Sequence, residues 1–121
     1  MRRVEVARVY DDPDGPPGTY RVLVDRLWPR GVRRDGLTFE EWAKDVAPSG
    51  ELRRWYGHEP ARFAEFARRY QGELREPASR EVLERLRKVA EHKTLTLLTA
   101  TRDVTLSGAE VLRRVLIEEG L

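Results

Sequence analysis

The sequence predicts a single small α/β domain, a sheet of few and mainly parallel strands flanked by helices. Three observations predict it. Strand-like and helical segments alternate along the chain, the order that builds parallel sheets with helices packed on them. At 121 residues the chain has the usual length of one domain, and residues 1–121 read as one, without repeat, low-complexity tract or linker. Hydrophobic residues make up 40% of it, enough for a core at this size.

The elements follow in order. In residues 4–10, Val4 and Val6 alternate with polar neighbours, as in a half-buried strand. Residues 11–18, Asp-Asp-Pro-Asp-Gly-Pro-Pro-Gly, form a turn dense in residues that favour special backbone angles. A second strand spans residues 19–25, with Tyr20, Val22 and Val24 on one face and Arg21, Leu23 and Asp25 on the other. Pro29 and Gly31 end it. Thr38-Phe39-Glu40-Glu41 has the spacing of a capping box and predicts a short helix stopping before Pro48. Ser49 can cap a second short helix closed by Gly57. Pro60 opens a longer one whose apolar face is Phe63, Phe66, Ala67, Tyr70 and Leu74. Residues 79–91 form another, with Val82, Leu83, Leu86, Val89 and Ala90 inward. Residues 94–99, Thr-Leu-Thr-Leu-Leu-Thr, are the clearest buried strand. A last helix starts at Ser107 with Glu110 as a capping box and Leu106 with Val111 as a hydrophobic staple, and Gly120 ends it.

Composition excludes several classes of function. No cysteine is present, which removes disulfides, thiolate nucleophiles and cysteine-based zinc sites and fits a cytoplasmic protein. No apolar run approaches the ~20 residues of a membrane span, so no membrane partner is expected. Charged residues reach 36% while the net charge is only +2, and 20 of the 23 basic residues are Arg. Such a mixed surface suggests heat adaptation. A nucleic-acid binder would carry a larger positive excess, so nucleic acid is an unfavoured partner. Phosphate loops, dinucleotide fingerprints and nucleophile elbows are absent. His58 and His92 share no metal-binding spacing, so no metal or cofactor is expected.

In a parallel sheet, ligands gather at the carboxyl ends of the strands. Two segments fall there, residues 25–31 and 100–106. The first belongs to a run in which Arg21, Arg26, Arg30, Arg33 and Arg34 face one acid, Asp25. Guanidinium forks hold phosphate and carboxylate bidentately, and Trp28 offers a wall or stacking plate. The second brings Arg102 to a capped helix start, where Ser107 and Gly108 would let a ligand approach.

The block Tyr20-Arg21-Val22-Leu23-Val24-Asp25-Arg26-Leu27-Trp28-Pro29-Arg30-Gly31 resembles the signature of the YeaO-like family of small proteins of unknown function. Trp42, Lys44, Pro48, Ser49, Leu52, Arg53, Trp55, Gly57, His58 and Pro60 resemble its second block, and Tyr70 with Glu73-Leu74 its third. The resemblance implies a cytosolic single domain and brings no activity, cofactor or substrate with it. It also exposes a departure. Where the family's last block has a Tyr and then a His-Asn pair, this chain has Thr99 and Leu106-Ser107, while it keeps Arg102 and Asp103.

The expected function is binding of a small anion, phosphate-like or nucleotide-like. Arg26, Arg30, Lys44, Arg53 and Arg102 would hold the charge, with Trp28, Ser49 and Ser107 beside them. Were the protein an enzyme, Asp25, His58 and Asp103 would supply acid/base chemistry. The rivals are a nucleic-acid module using the arginine run, or a partner-binding protein without catalysis. The sequence is silent on oligomeric state.

Overall fold

A computed structural model describes residues 3–118. Its strands are β1 (Val4–Arg8), β2 (Thr19–Leu23), β3 (Glu41–Trp42) and β4 (Thr94–Thr99); its helices are α1 (Gly50–Tyr56), α2 (Phe63–Glu73), α3 (Pro77–His92) and α4 (Gly108–Glu118). Single 3-10 turns occupy Arg34–Gly36, Lys44–Val46, Pro60–Arg62 and Val104–Leu106. All strand pairs are parallel, in the order β1-β4-β2-β3. The expected α/β domain is what forms.

Burial explains why β4 reads as an unbroken apolar strand. It lies between β1 and β2, with Val6 opposite Leu97 on one side and Val22 opposite Leu97 on the other, so both its faces are covered. Leu95 and Leu97 enter a core with Val4, Val22 and Val24, closed by Leu52 of α1, Phe66 and Tyr70 of α2, Leu83 and Leu86 of α3, and Leu112 and Leu116 of α4. Leu98 and Leu23 face the other way, into a smaller cluster with Val9, Leu37, Trp28, Val32, Phe39 and Trp42. Helices cover one face of the sheet, and mostly irregular chain between β2 and β3 covers the other.

Several boundaries differ from the sequence reading, α3 beginning at Pro77 and α2 at Phe63 after a 3-10 turn at Pro60, and one element is corrected. The first two strands stop at Arg8 and Leu23, because the chain turns toward the site beyond them. The capping box at Thr38 starts no α-helix. The open edge of β2 takes its groups instead. The Glu40 carboxylate accepts from the Arg21 amide at 2.6 Å, the Glu40 amide donates to the Arg21 carbonyl at 2.8 Å, and Glu41 and Trp42 pair with Val22 and Leu23. Pairing satisfies backbone groups that a free helix start would have left open. The other caps form: Ser49 Oγ accepts from the Leu52 amide, and Gly57 closes α1 in the left-handed region at φ 54°. Ser107 Oγ accepts from the Glu110 amide at 3.2 Å, although the Glu110 carboxylate turns to Arg113 and Arg114 rather than back to the cap. The stop expected at Gly120 lies outside the described residues.

Candidate functional site

The carboxyl ends of the strands open into a cavity of about 660 Å³. The chain leaving β2 supplies Asp25 to Arg30, Tyr10 follows β1, and the loop from Ala100 to Ser107 follows β4. Arg53, Tyr56, His58 and Pro60 close it from the α1 side, Phe66 from α2, and Gly108 with Ala109 from the start of α4.

Most of the residues singled out in the sequence meet here. Arg26, Trp28, Arg30, Arg53, Arg102 and Ser107 line the cavity, and so do Asp25, His58 and Asp103. Two do not. The Lys44 ammonium sits 4.0 Å from the centre of the Trp42 ring. Ser49 donates its hydroxyl and its amide to the Glu73 carboxylate at 2.6 and 2.8 Å while capping α1. Its polar groups are used by the fold.

Asp25 is the most constrained group of the site. One carboxylate oxygen accepts from Thr99 Oγ1 and the other from the Ala100 amide, both at 2.7 Å. Its carbonyl accepts from Trp42 Nε1, also at 2.7 Å. Burial pushes its carboxyl up from the ordinary aspartate range; the two hydrogen bonds and the electrostatic effects of His58 and Arg53 act in the opposite direction. His58 is the one non-glycine residue with positive φ among the described residues, at 58°, and follows Gly57 in the same region. Such strain in a side chain lining a cavity marks a position worth testing for function. Arg26 donates Nε to the Pro48 carbonyl at 2.9 Å. Among the described residues, the Arg30, Arg53 and Arg102 side chains form no ion pair and no hydrogen bond.

Several expected roles change. Trp28 donates Nε1 to the Val32 carbonyl at 2.7 Å, packs edgewise on Trp42 and lies tilted against Phe39. The Arg34 guanidinium sits 4.3 Å from its ring centre, so Trp28 is a supporting wall more than an open stacking plate. Gly108 serves packing rather than ligand approach: a Cβ there would come within 3.2 Å of Pro48 and 3.4 Å of Tyr70. Ser107 is buried and donates Oγ to the Val104 carbonyl at 2.7 Å while capping α4. Asp103 accepts from the Thr105 amide and hydroxyl. The arginine run divides. Arg21 is 1% exposed and donates to the Thr38 and Asp12 carbonyls at 2.7 and 2.6 Å, Arg33 pairs with Asp35, and Arg34 lies on Trp28 and Trp42.

Sequence reasoning missed Thr99, Tyr56 and Tyr10. Thr99 carried a signal, a hydroxyl at the end of the central strand. Tyr56, which donates to the Leu106 carbonyl at 2.6 Å, and Tyr10, which donates to the Arg30 carbonyl at 2.7 Å, carried none, because their partners lie 50 and 20 residues away. The departure from the family's last block therefore falls at this site: Thr99 anchors Asp25, and Leu106 and Ser107 line the cavity. Among the described residues no three His, Asp or Glu side chains group as a metal site, and no helix is long and apolar enough to cross a membrane.

Comparison with known proteins places the chain. A family model described as the inactive DUF488-N3 subclade matches residues 3–120. An uncharacterized protein of Mycobacterium tuberculosis is 54% identical over 114 residues, covering 94% of this chain and 93% of its own. The uncharacterized protein YeaO of Escherichia coli is 38% identical over 109 residues, covering 90% and 92%. No solved structure matches. With the signature block around Asp25 and Trp28 built into the cavity wall, this chain belongs to the YeaO-like family, in the group described as the inactive DUF488-N3 subclade.

Proposed function

We propose that the protein binds a small anionic ligand, phosphate-like or nucleotide-like, in the cavity at the strand carboxyl ends. One observation carries this reading: Arg26, Arg30, Arg53 and Arg102 line a single concavity, and three of them, Arg30, Arg53 and Arg102, form no ion pair and no hydrogen bond, Arg53 acting on Asp25 only through its charge. Unpaired guanidinium forks grouped in a partly apolar cavity suit an anion better than water alone, since the walls weaken screening. The two acids present are already engaged, Asp25 by Thr99 and Ala100 and Asp103 by Thr105. The word inactive in the description of the matched family favours binding over turnover; should chemistry follow binding, Asp25, His58 and Asp103 are the acid/base groups at hand. Full burial of Arg21 and diversion of Arg33 and Arg34 count against a nucleic-acid surface. Absence of cysteine supports a cytoplasmic setting, and the dense mixed charge supports heat adaptation.

The test is thermal stability and calorimetric titration with phosphate, nucleotides and small carboxylates. At least one should stabilise the wild type at millimolar concentration. Arg30→Lys and Arg53→Lys keep the charge but lose the planar fork, and should each weaken binding by about tenfold. Failure of every compound to stabilise the protein would remove this reading.

A further inference from the structure

A bare anion leaves three features of the cavity unexplained. The first is size. An ion of five heavy atoms takes only a few times the roughly 30 Å³ share of a water molecule, whereas the cavity measures about 660 Å³, within the roughly 300–1,000 Å³ of sites for larger organic ligands. The second is apolar surface. Among the described residues two large hydrophobic side chains stay exposed, Leu27 at 57% and Tyr10 at 42%, and both line this cavity. The Tyr10 hydroxyl already donates to the Arg30 carbonyl, so what it offers is mainly ring, over which the Arg8 guanidinium lies 4.7 Å from the centre. The third is Asp25. A carboxylate in a site for simple anions opposes the ligand, yet here it is held by two hydrogen bonds against the cost of its burial. Each oxygen accepts one internal bond and keeps a free lone pair.

We infer that the ligand is a nucleoside monophosphate, with its phosphate on Arg30, Arg53 and Arg102, its base against Leu27 and Tyr10, and a nucleoside O–H or N–H donating to Asp25. This assignment rests on the anion-binding reading and deepens it. Each part of the molecule answers one feature: the phosphate answers the arginines that form no ion pair, the base the exposed apolar pair, and the donor the half-buried acid. A sugar phosphate lacks the apolar body, and a free nucleoside lacks the anion.

Titration calorimetry with the intact chain separates these cases, using AMP, GMP, CMP and UMP against inorganic phosphate, ribose 5-phosphate and adenosine. The expected result is one monophosphate binding at least about tenfold more tightly than inorganic phosphate, ribose 5-phosphate or adenosine. Leu27→Ala, at an exposed position, should cut that affinity about fivefold and leave phosphate affinity within about twofold. Asp25→Asn should lower nucleotide affinity while leaving phosphate binding unchanged or tighter, because a repelling charge is gone. Circular dichroism checks that this variant folds, and Leu27→Ala carries the test if it does not. If nucleotides bind no better than phosphate or ribose 5-phosphate, the nucleotide assignment falls while anion binding survives. If no compound binds, both fall. Equal losses of phosphate and nucleotide in both variants would also overturn the assignment.

Discussion

Arg21 shows how a charged residue becomes part of a core. It points from β2 into the layer opposite the helices, 1% exposed. Nε donates to the Thr38 carbonyl, one terminal nitrogen donates to the Asp12 carbonyl, and the other lies 3.6 Å from the Asp12 carboxylate. Two of its three nitrogens are met by hydrogen bonds, and the third has no hydrogen-bond partner and keeps only the longer ion-pair contact with Asp12 to offset its burial. Asp12 also accepts from the Gly15 amide at 3.0 Å, so the turn is shaped around the arginine. Gly15 stands at φ 67°, and a Cβ there would lie 2.1 Å from an Arg21 terminal nitrogen; Gly18, at φ 82°, has open space. Gly18→Ala should therefore cost only the backbone penalty, about 1 kcal/mol. Gly15→Ala must also displace a buried charge and should cost about 3 kcal/mol or more. Urea denaturation of the two variants measures the difference, and equal losses would show that Arg21 is free to move.

At the scale of elements, the short α1 depends on its ends. Seven residues are too few for a stable isolated helix, so the Ser49 cap, the Gly57 stop and burial of Leu52 and Tyr56 hold it. Glu73 near the end of α2 binds the Ser49 hydroxyl and amide, tying the two helices together. Ser49→Ala removes the cap and one donor to Glu73, and should destabilise the fold by about 1–2 kcal/mol. Ligand affinity should stay within about twofold at temperatures where the variant is folded. A selective loss of affinity without loss of stability would place Ser49 in the site after all.

For the molecule as a whole, charge is spread rather than massed. The net charge is +2, and many basic side chains pair on their own helix, as Arg68 and Arg69 do with Glu65 and Arg113 and Arg114 with Glu110. The arginines that could form a stripe point in different directions, one inward, one onto Trp28, and others into the cavity. A surface that neutralised about five phosphates would show a log–log salt slope near −4 to −5. No such behaviour is expected. Titrations with single- and double-stranded DNA and RNA at 50 and 200 mM salt should give no micromolar binding at either; tight binding at the lower salt that collapses at the higher would restore the nucleic-acid reading.

Local sequence by itself determined the α/β class, the central strand at Thr94–Thr99, the helices capped by Ser49 and Ser107, and the turn at Pro60 that leads into α2. These depend on periodicity and on caps, whose causes lie within a few residues of each other. Tertiary structure decided the rest. Thr38 and Glu41 have a helix start's spacing, yet the open edge of β2 takes Glu40 and Glu41, and the turn before β2 takes the Thr38 amide and hydroxyl at Pro13 and Asp14. Five arginines adjacent in sequence look like one cluster, yet alternation along β2 buries Arg21 and the turn at Gly31 sends Arg33 and Arg34 elsewhere. Lys44 and Ser49 fall near the site in sequence, but Trp42 and Glu73 claim them. Thr99 and Asp25 meet across 74 residues, a pairing no local pattern encodes, because side chains separated that far are brought together only by the parallel register of β2 on β4.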